Sequence, residues 1–100
     1  MVTFTGFSGA NGHTIIIKNN NFEYIYAHVS PNYIVKLNDF IESDQIIGNV
    51  GPKYLPTGNP TYIDSSGRFT NGATTGCHLH LTIKNDGIAV VFLYIMQNIF

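Results

Sequence analysis

Charge is scarce in this chain of one hundred residues. Five Lys and Arg stand against six Asp and Glu, a formal net charge of −1. No basic stripe exists to neutralise a phosphate backbone, which argues against nucleic acid as a partner. Cysteine is almost missing. One Cys77 excludes an internal disulfide and a cysteine-rich zinc module. Its place in an apolar, strand-adjacent run predicts a small buried residue. The C-terminal apolar run, residues 88–100, is too short to cross a bilayer as a helix, so no membrane partner is expected. It reads instead as a strand that covers or extends a sheet, and exposed it would favour aggregation. Met1-Val2-Thr3-Phe4 lacks the basic start of a signal peptide. Helical periodicity is nowhere convincing.

What the chain does have is apolar and β-branched. Hydrophobic residues make up 44% and charged ones 11%, the balance of a folded chain. Its length makes one domain, residues 1–100, small but able to bury a core. Residues 14–18 (Thr-Ile-Ile-Ile-Lys) read as a strand, and Asn19-Asn20-Asn21 as its turn. Residues 22–28 read as the hairpin partner, with Phe22, Tyr24, Tyr26 and His28 on one face. Residues 34–36 and 45–50 read as short strands around a turn at 37–44. Residues 52–74 hold three of the four prolines and form a long loop with room for one short element. Loops of that length in a compact domain usually carry function. Residues 79–84 form a strand, Asn85-Asp86-Gly87 a tight turn, and residues 88–95 a last strand. The sum is an all-β domain with an antiparallel sheet.

Chemistry concentrates in Thr75-Gly76-Cys77-His78-Leu79-His80-Leu81-Thr82-Ile83. On a strand, His78 and His80 point the same way, about 6.5–7 Å apart along the backbone. Leu79, Leu81 and Ile83 then face a core. Two imidazoles on one face are half of a common metal site, although a bare His-x-His is also found on ordinary surfaces.

Two further segments give the pair a context: Tyr24-Ile25-Tyr26-Ala27-His28-Val29-Ser30, and residues 34–51 with Asn38-Asp39, Asp44-Gln45-Ile46-Ile47-Gly48 and Gly51. The three blocks, in this order, resemble the lysostaphin/LytM-type zinc metalloendopeptidases, peptidoglycan hydrolases that cut cell-wall peptides. In that family a strand ends in Tyr-Ala-His-Leu-Ser, a hydrophobic turn unit follows, and Thr-Gly-Pro-His-Leu-His-Phe closes the pattern. The resemblance spans about residues 2–83, and the long loop resembles that of phage tail-associated members.

The resemblance implies the family's duplicated hybrid-motif sheet and a catalytic zinc ion, Zn2+. It makes His80 a zinc ligand and His28 and His78 catalytic histidines. It implies peptidoglycan peptides as substrate, and an extracellular or virion-associated place of action on the cell wall. The family's other two ligands lie in a His-x-x-x-Asp motif before the strand that begins Val2-Thr3-Phe4-Thr5-Gly6. The sequence opens at Met1 without that motif, so the resemblance implies an N-terminally truncated domain whose zinc site is completed by an upstream segment, by a partner chain, or not at all. Cys77 replaces the usual Pro, and the segment after Gly87 diverges.

Other readings of single residues stay open. His13, in Gly9-Ala10-Asn11-Gly12-His13-Thr14, or Asp64 could substitute as a ligand, although Asp64 before Ser-Ser-Gly also reads as a turn residue. Tyr54, Tyr62, Arg68 and Phe69 either line a groove for a glycan or peptide stem or pin the loop. A non-catalytic relative that binds cell wall or a protein is the alternative function. A biotinyl- or lipoyl-type carrier shares the turn unit, but the chain lacks that carrier's lysine between two methionines.

Overall fold

The computed structural model describes residues 1–57 and 61–96. In chain order the strands are β1 (Val2–Phe7), β2 (His13–Asn19), β3 (Phe22–Ala27), β4 (Tyr62–Ile63), β5 (Phe69–Thr70), β6 (His78–Asn85) and β7 (Ile88–Met96), with a 3-10 turn at Gly9–Asn11. The protein is all-β. Its main sheet has the order β1-β2-β3-β6-β7, and every neighbouring pair is antiparallel. β4 and β5 pair separately inside the long loop. No helix among the described residues is long and apolar enough to cross a membrane.

Local chemistry sets the hairpins. Between β2 and β3, Asn20 takes a left-handed φ of 55°, a conformation that asparagine tolerates better than most side chains. Between β6 and β7, Asp86 and Gly87 adopt φ of 53° and 80°. Two successive left-handed residues match the right-handed twist of the flanking strands, as Asp-Gly turns do. The Asp86 N–H donates to the Asn21 carbonyl at 2.9 Å, so the two hairpin ends are tied together.

One face of the sheet carries the core. Val2, Ile15, Ile17, Val29 and Val35 are buried, with Tyr24, Tyr26, Tyr33, Ile41, Ile47 and Leu79 packed against them. Register explains the grouping: Ile15 pairs with Tyr26 and Ile17 with Tyr24, so all four share a face. Residues that follow β3 fold back over them as a cover.

That cover is not stranded as its β-branched residues suggest. Residues 34–36 and 45–49 form no strand, and Val50 makes only an isolated bridge to Val29. Local turns take the hydrogen bonds instead. The Asp39 carboxylate accepts from the Lys36 N–H at 3.0 Å, and the Gln45 side-chain carbonyl accepts from the Glu42 N–H at 3.0 Å. Asn38 and Asp44 take left-handed φ. Asn and Asp side chains that bond nearby backbone compete with a ladder in this way. The segment still docks on β1, where the Val2 N–H donates to the Asp39 carbonyl and the Asn38 N–H to the Val2 carbonyl.

Candidate functional site

The face opposite the core is where the histidines gather. β3 and β6 pair with Ala27 opposite His80 and Tyr26 opposite Leu81. Tyr26 and Leu79 belong to the core side, so Ala27, His78 and His80 share the other side. The alternation expected for residues 78–83 is the one found. β7 contributes Phe92, whose ring centroid lies 6.3 Å from that of His80.

His28 reaches this face by breaking the alternation. Continued as a strand, it would fall on the side of Tyr24 and Tyr26, as the sequence pattern suggests. β3 instead ends at Ala27, and His28 takes a left-handed φ of 60°. Its ring centroid then stands 5.8 Å from that of His78 and 6.3 Å from that of His80, nearly stacked on the latter at 20°. A left-handed non-glycine residue costs about 1–3 kcal/mol, and such strain persists only where the surroundings hold it. Here they do. The His28 N–H donates to the Asn11 carbonyl, and the His28 carbonyl accepts from the Gly51 N–H, both at 2.9 Å. The side chain is 4% exposed.

The ring of His28 has a defined proton. Its Nδ1 lies 2.7 Å from the Asn71 carbonyl oxygen. A carbonyl only accepts, so Nδ1–H is the donor and Nε2 carries the lone pair. Burial pushes the His28 pKa below its ordinary value; the Asn71 carbonyl partly offsets this, and His78 and His80 add to the lowering. Burial, then His78, lowers His80 as well. Near neutral pH both rings are therefore held toward the neutral form, in which imidazole accepts a proton or binds a metal. Asn71 is a part of this arrangement that the sequence did not disclose, because it lies within the long loop and its partner His28 is distant in the chain.

The other expected residues lie elsewhere. His13 falls on the core side of β2, paired with Phe7. Its Nδ1 and the Tyr33 hydroxyl are 2.7 Å apart, and its ring meets Phe7 edge-on at 5.3 Å. Asp64 caps its own turn, accepting from the Ser66 and Arg68 N–H groups at 2.9 and 3.0 Å. Those backbone bonds, chiefly the one to Arg68, hold its carboxyl below the usual value. Within the loop, the Arg68 guanidinium stacks 3.6 Å from the Tyr54 ring centroid. Tyr54 and Tyr62 each pair with Thr70, and Phe69 pairs with Ile63. Cys77, expected to be buried, is exposed because it stands in the bend just before β6 begins.

A hydrolytic zinc needs about three protein ligands and one open position. His28 has committed Nδ1 to a carbonyl. Among the described residues no group of three or more His, Cys, Asp or Glu side chains is arranged to hold a metal ion. The donors in hand therefore do not amount to a complete zinc site. What they make is a close set of imidazoles, with the His28 ring 5.8 Å from that of His78 and 6.3 Å from that of His80.

Comparison with known proteins places the chain in a family. A family model described as Peptidase family M23 matches residues 1–91, from β1 into β7. No curated protein and no solved structure matches the chain.

Proposed function

The chain belongs to peptidase family M23, and from that membership we propose that it is a zinc-dependent peptidoglycan endopeptidase domain. Its substrates are the amide bonds of cell-wall stem or cross-bridge peptides. The observation that carries this reading is the meeting of His28 with His78 and His80, with centroids 5.8 and 6.3 Å apart, from two segments fifty residues apart in sequence. Strand alternation alone puts His78 and His80 together, whereas the arrival of His28 beside them takes a left-handed turn that alternation does not supply.

The roles divide by position. His80 is the metal ligand of this chain, and the remaining ligands come from an upstream segment or a partner chain. A bound zinc would polarise the scissile carbonyl and acidify water. In the hydrolysis itself an oxygen–carbon bond forms, the amide C–N bond breaks, and one proton moves from water to the departing amine. His28 Nε2 is the atom held free to take that proton, and His78 beside it shares the transfer. Resemblance of the long loop to phage tail-associated members supports a phage-derived protein that acts outside the cell or on the virion. Tyr54, Tyr62, Arg68 and Phe69 are the loop side chains proposed to meet the substrate.

A second reading has its own observation. The described residues do not complete a metal site, which favours a non-catalytic relative that binds cell wall or a protein. Two measurements decide between the readings: zinc stoichiometry of the purified chain by elemental mass spectrometry, and release of peptides from purified cell walls. With the remaining ligands supplied, His80→Ala should lose zinc and hydrolysis together. His28→Ala and His78→Ala should keep zinc and lose hydrolysis by about 10²–10⁴-fold, the usual worth of acid–base catalysis. Zinc retained in His80→Ala, or full activity in His28→Ala, would overturn the assignment. Cell-wall binding without peptide release would establish the second reading.

A further inference from the structure

Asn71 is fully buried, and each of its polar groups is engaged. Its N–H donates to the Lys53 carbonyl at 2.7 Å. Its own carbonyl accepts from His28 Nδ1–H at 2.7 Å. The side-chain oxygen accepts from the His13 N–H at 2.7 Å, and the side-chain NH2 donates to the Val29 carbonyl at 2.9 Å. These partners come from three separate stretches: the start of β2, the chain just beyond β3, and the entry to the long loop.

The surroundings are cleared for it. A Cβ on Gly12 would stand 2.2 Å from the Asn71 carbonyl oxygen and 2.3 Å from its side-chain oxygen. One on Gly51 would stand 2.7 Å from the side-chain nitrogen, and one on Gly72 would stand 2.4 Å from the Gly12 nitrogen. Real Cβ atoms do not approach so closely, so the three positions admit glycine alone. A single primary amide suits the space between them. It offers an acceptor oxygen and a donor NH2 group on a rigid plane, and these meet one N–H and one C=O of the flanking chain. Aspartate would set an oxygen against the Val29 carbonyl, and alanine would leave both groups buried and unmatched.

We propose that Asn71 is a positioning residue: its side chain locks the backbone carbonyl that fixes the tautomer of His28, so that Nε2 is the nitrogen left to accept a proton. The two side-chain bonds tether Asn71 to the β2 start and to Val29, the residue next to His28. The carbonyl is thereby held at hydrogen-bond distance from Nδ1 and cannot drift with the loop. Without that clamp the ring would be free to adopt the other tautomer, the form a solvated imidazole prefers. His28 would then present a donor where the reaction needs an acceptor. The inference rests on the reading of His28 as proton acceptor, but its test does not. The test reads the ring and not hydrolysis, so either can fail while the other stands.

The experiment is long-range proton–nitrogen NMR of the histidine rings in the 15N-labelled chain at pH 7.5. In the unaltered protein His28 is expected almost wholly as the Nδ1–H tautomer. In Asn71→Ala the Nε2–H form should rise to become the major one. Ile15→Val, which weakens the core away from this cluster, should leave the His28 tautomer unchanged, separating positioning from loss of stability. Should Asn71→Ala not fold, Asn71→Ser carries the same test, since its one hydroxyl cannot meet both partners. The Nε2–H tautomer in the unaltered chain would overturn the proposal. So would an unchanged tautomer in a folded Asn71 variant.

Discussion

At one end of the sheet β1, β2 and β3 hold Val2, Ile15 and Ile17 buried under the residues that follow β3. At the other end β7 leaves Ile88, Val90, Phe92 and Leu93 on the surface, with Ile88 70% exposed. Both ends are apolar in sequence; they differ in what covers them. The first end also carries the polar clamp of Asn71 and the glycines around it, so its loops have one packing. The histidines span the difference: His28 leaves the clamped end, whereas His78 and His80 stand on β6, whose outer neighbour is β7. His28 is thus held at the buried end of the sheet. The other two depend on a strand flanked by an exposed apolar edge.

The contrast should break first at the core. Ile15→Ala should cost about 2–5 kcal/mol of stability, as core truncations do, while Leu93→Ala should cost well under half of that. Urea unfolding followed by circular dichroism measures both. Equal losses at the two positions would show that the ends are not built differently.

Of similar size is the clamp. Asn71→Ala leaves the His13 N–H and the Val29 carbonyl buried without their partner, at about 1–3 kcal/mol for each group. The same unfolding experiment measures it, and a loss below 0.5 kcal/mol, roughly the scatter of ordinary surface substitutions, would contradict the buried geometry.

Acid sharpens the comparison in a different way. His13, His28 and His80 all have pKa values lowered by burial from the ordinary 6.5. In that window the unfolded chain binds more protons than the folded one, so stability is full above pH 6.5 and falls as pH drops through the range between the unfolded and folded values. The Asp64 carboxyl, held below 3.8, stays ionised there and does not contribute. Urea midpoints at pH 7.5 and 5.5 should show the lower value in acid. A midpoint that is flat or higher at pH 5.5 would mean that the histidines are not buried as neutral rings.

The smallest expected change in stability is at the edge. Ile88→Lys should shift the unfolding midpoint by no more than about 0.5 kcal/mol, because the residue is exposed. It should nevertheless reduce self-association in light scattering, since a charge on an edge strand opposes edge-to-edge pairing.

Much of this could be read from residue order. The hairpin turns at Asn20 and at Asp86-Gly87 lie where turn chemistry puts them. Leu79 faces the core and His78 with His80 the other side, because a period of two leaves no other choice. What could not be read there depended on partners distant in sequence. Residues 34–36 and 45–50 have strand-forming side chains, but Asp39 and Gln45 close local turns first. Cys77 has an apolar neighbourhood in sequence and an open one in space. Asn71 is one more residue of the long loop until the chain returns past His13 and Val29.

The sequence by itself determined the all-β class, the alternating faces and the histidine-bearing segments, since each rests on side-chain volume and on the geometry of a single strand. Only the tertiary structure decided that His28 would join the other two. A strand's alternation would have sent it into the core. The bonds from Asn11, Gly51 and Asn71 hold the left-handed turn that brings it to the opposite face, and none of those residues is its neighbour in the chain.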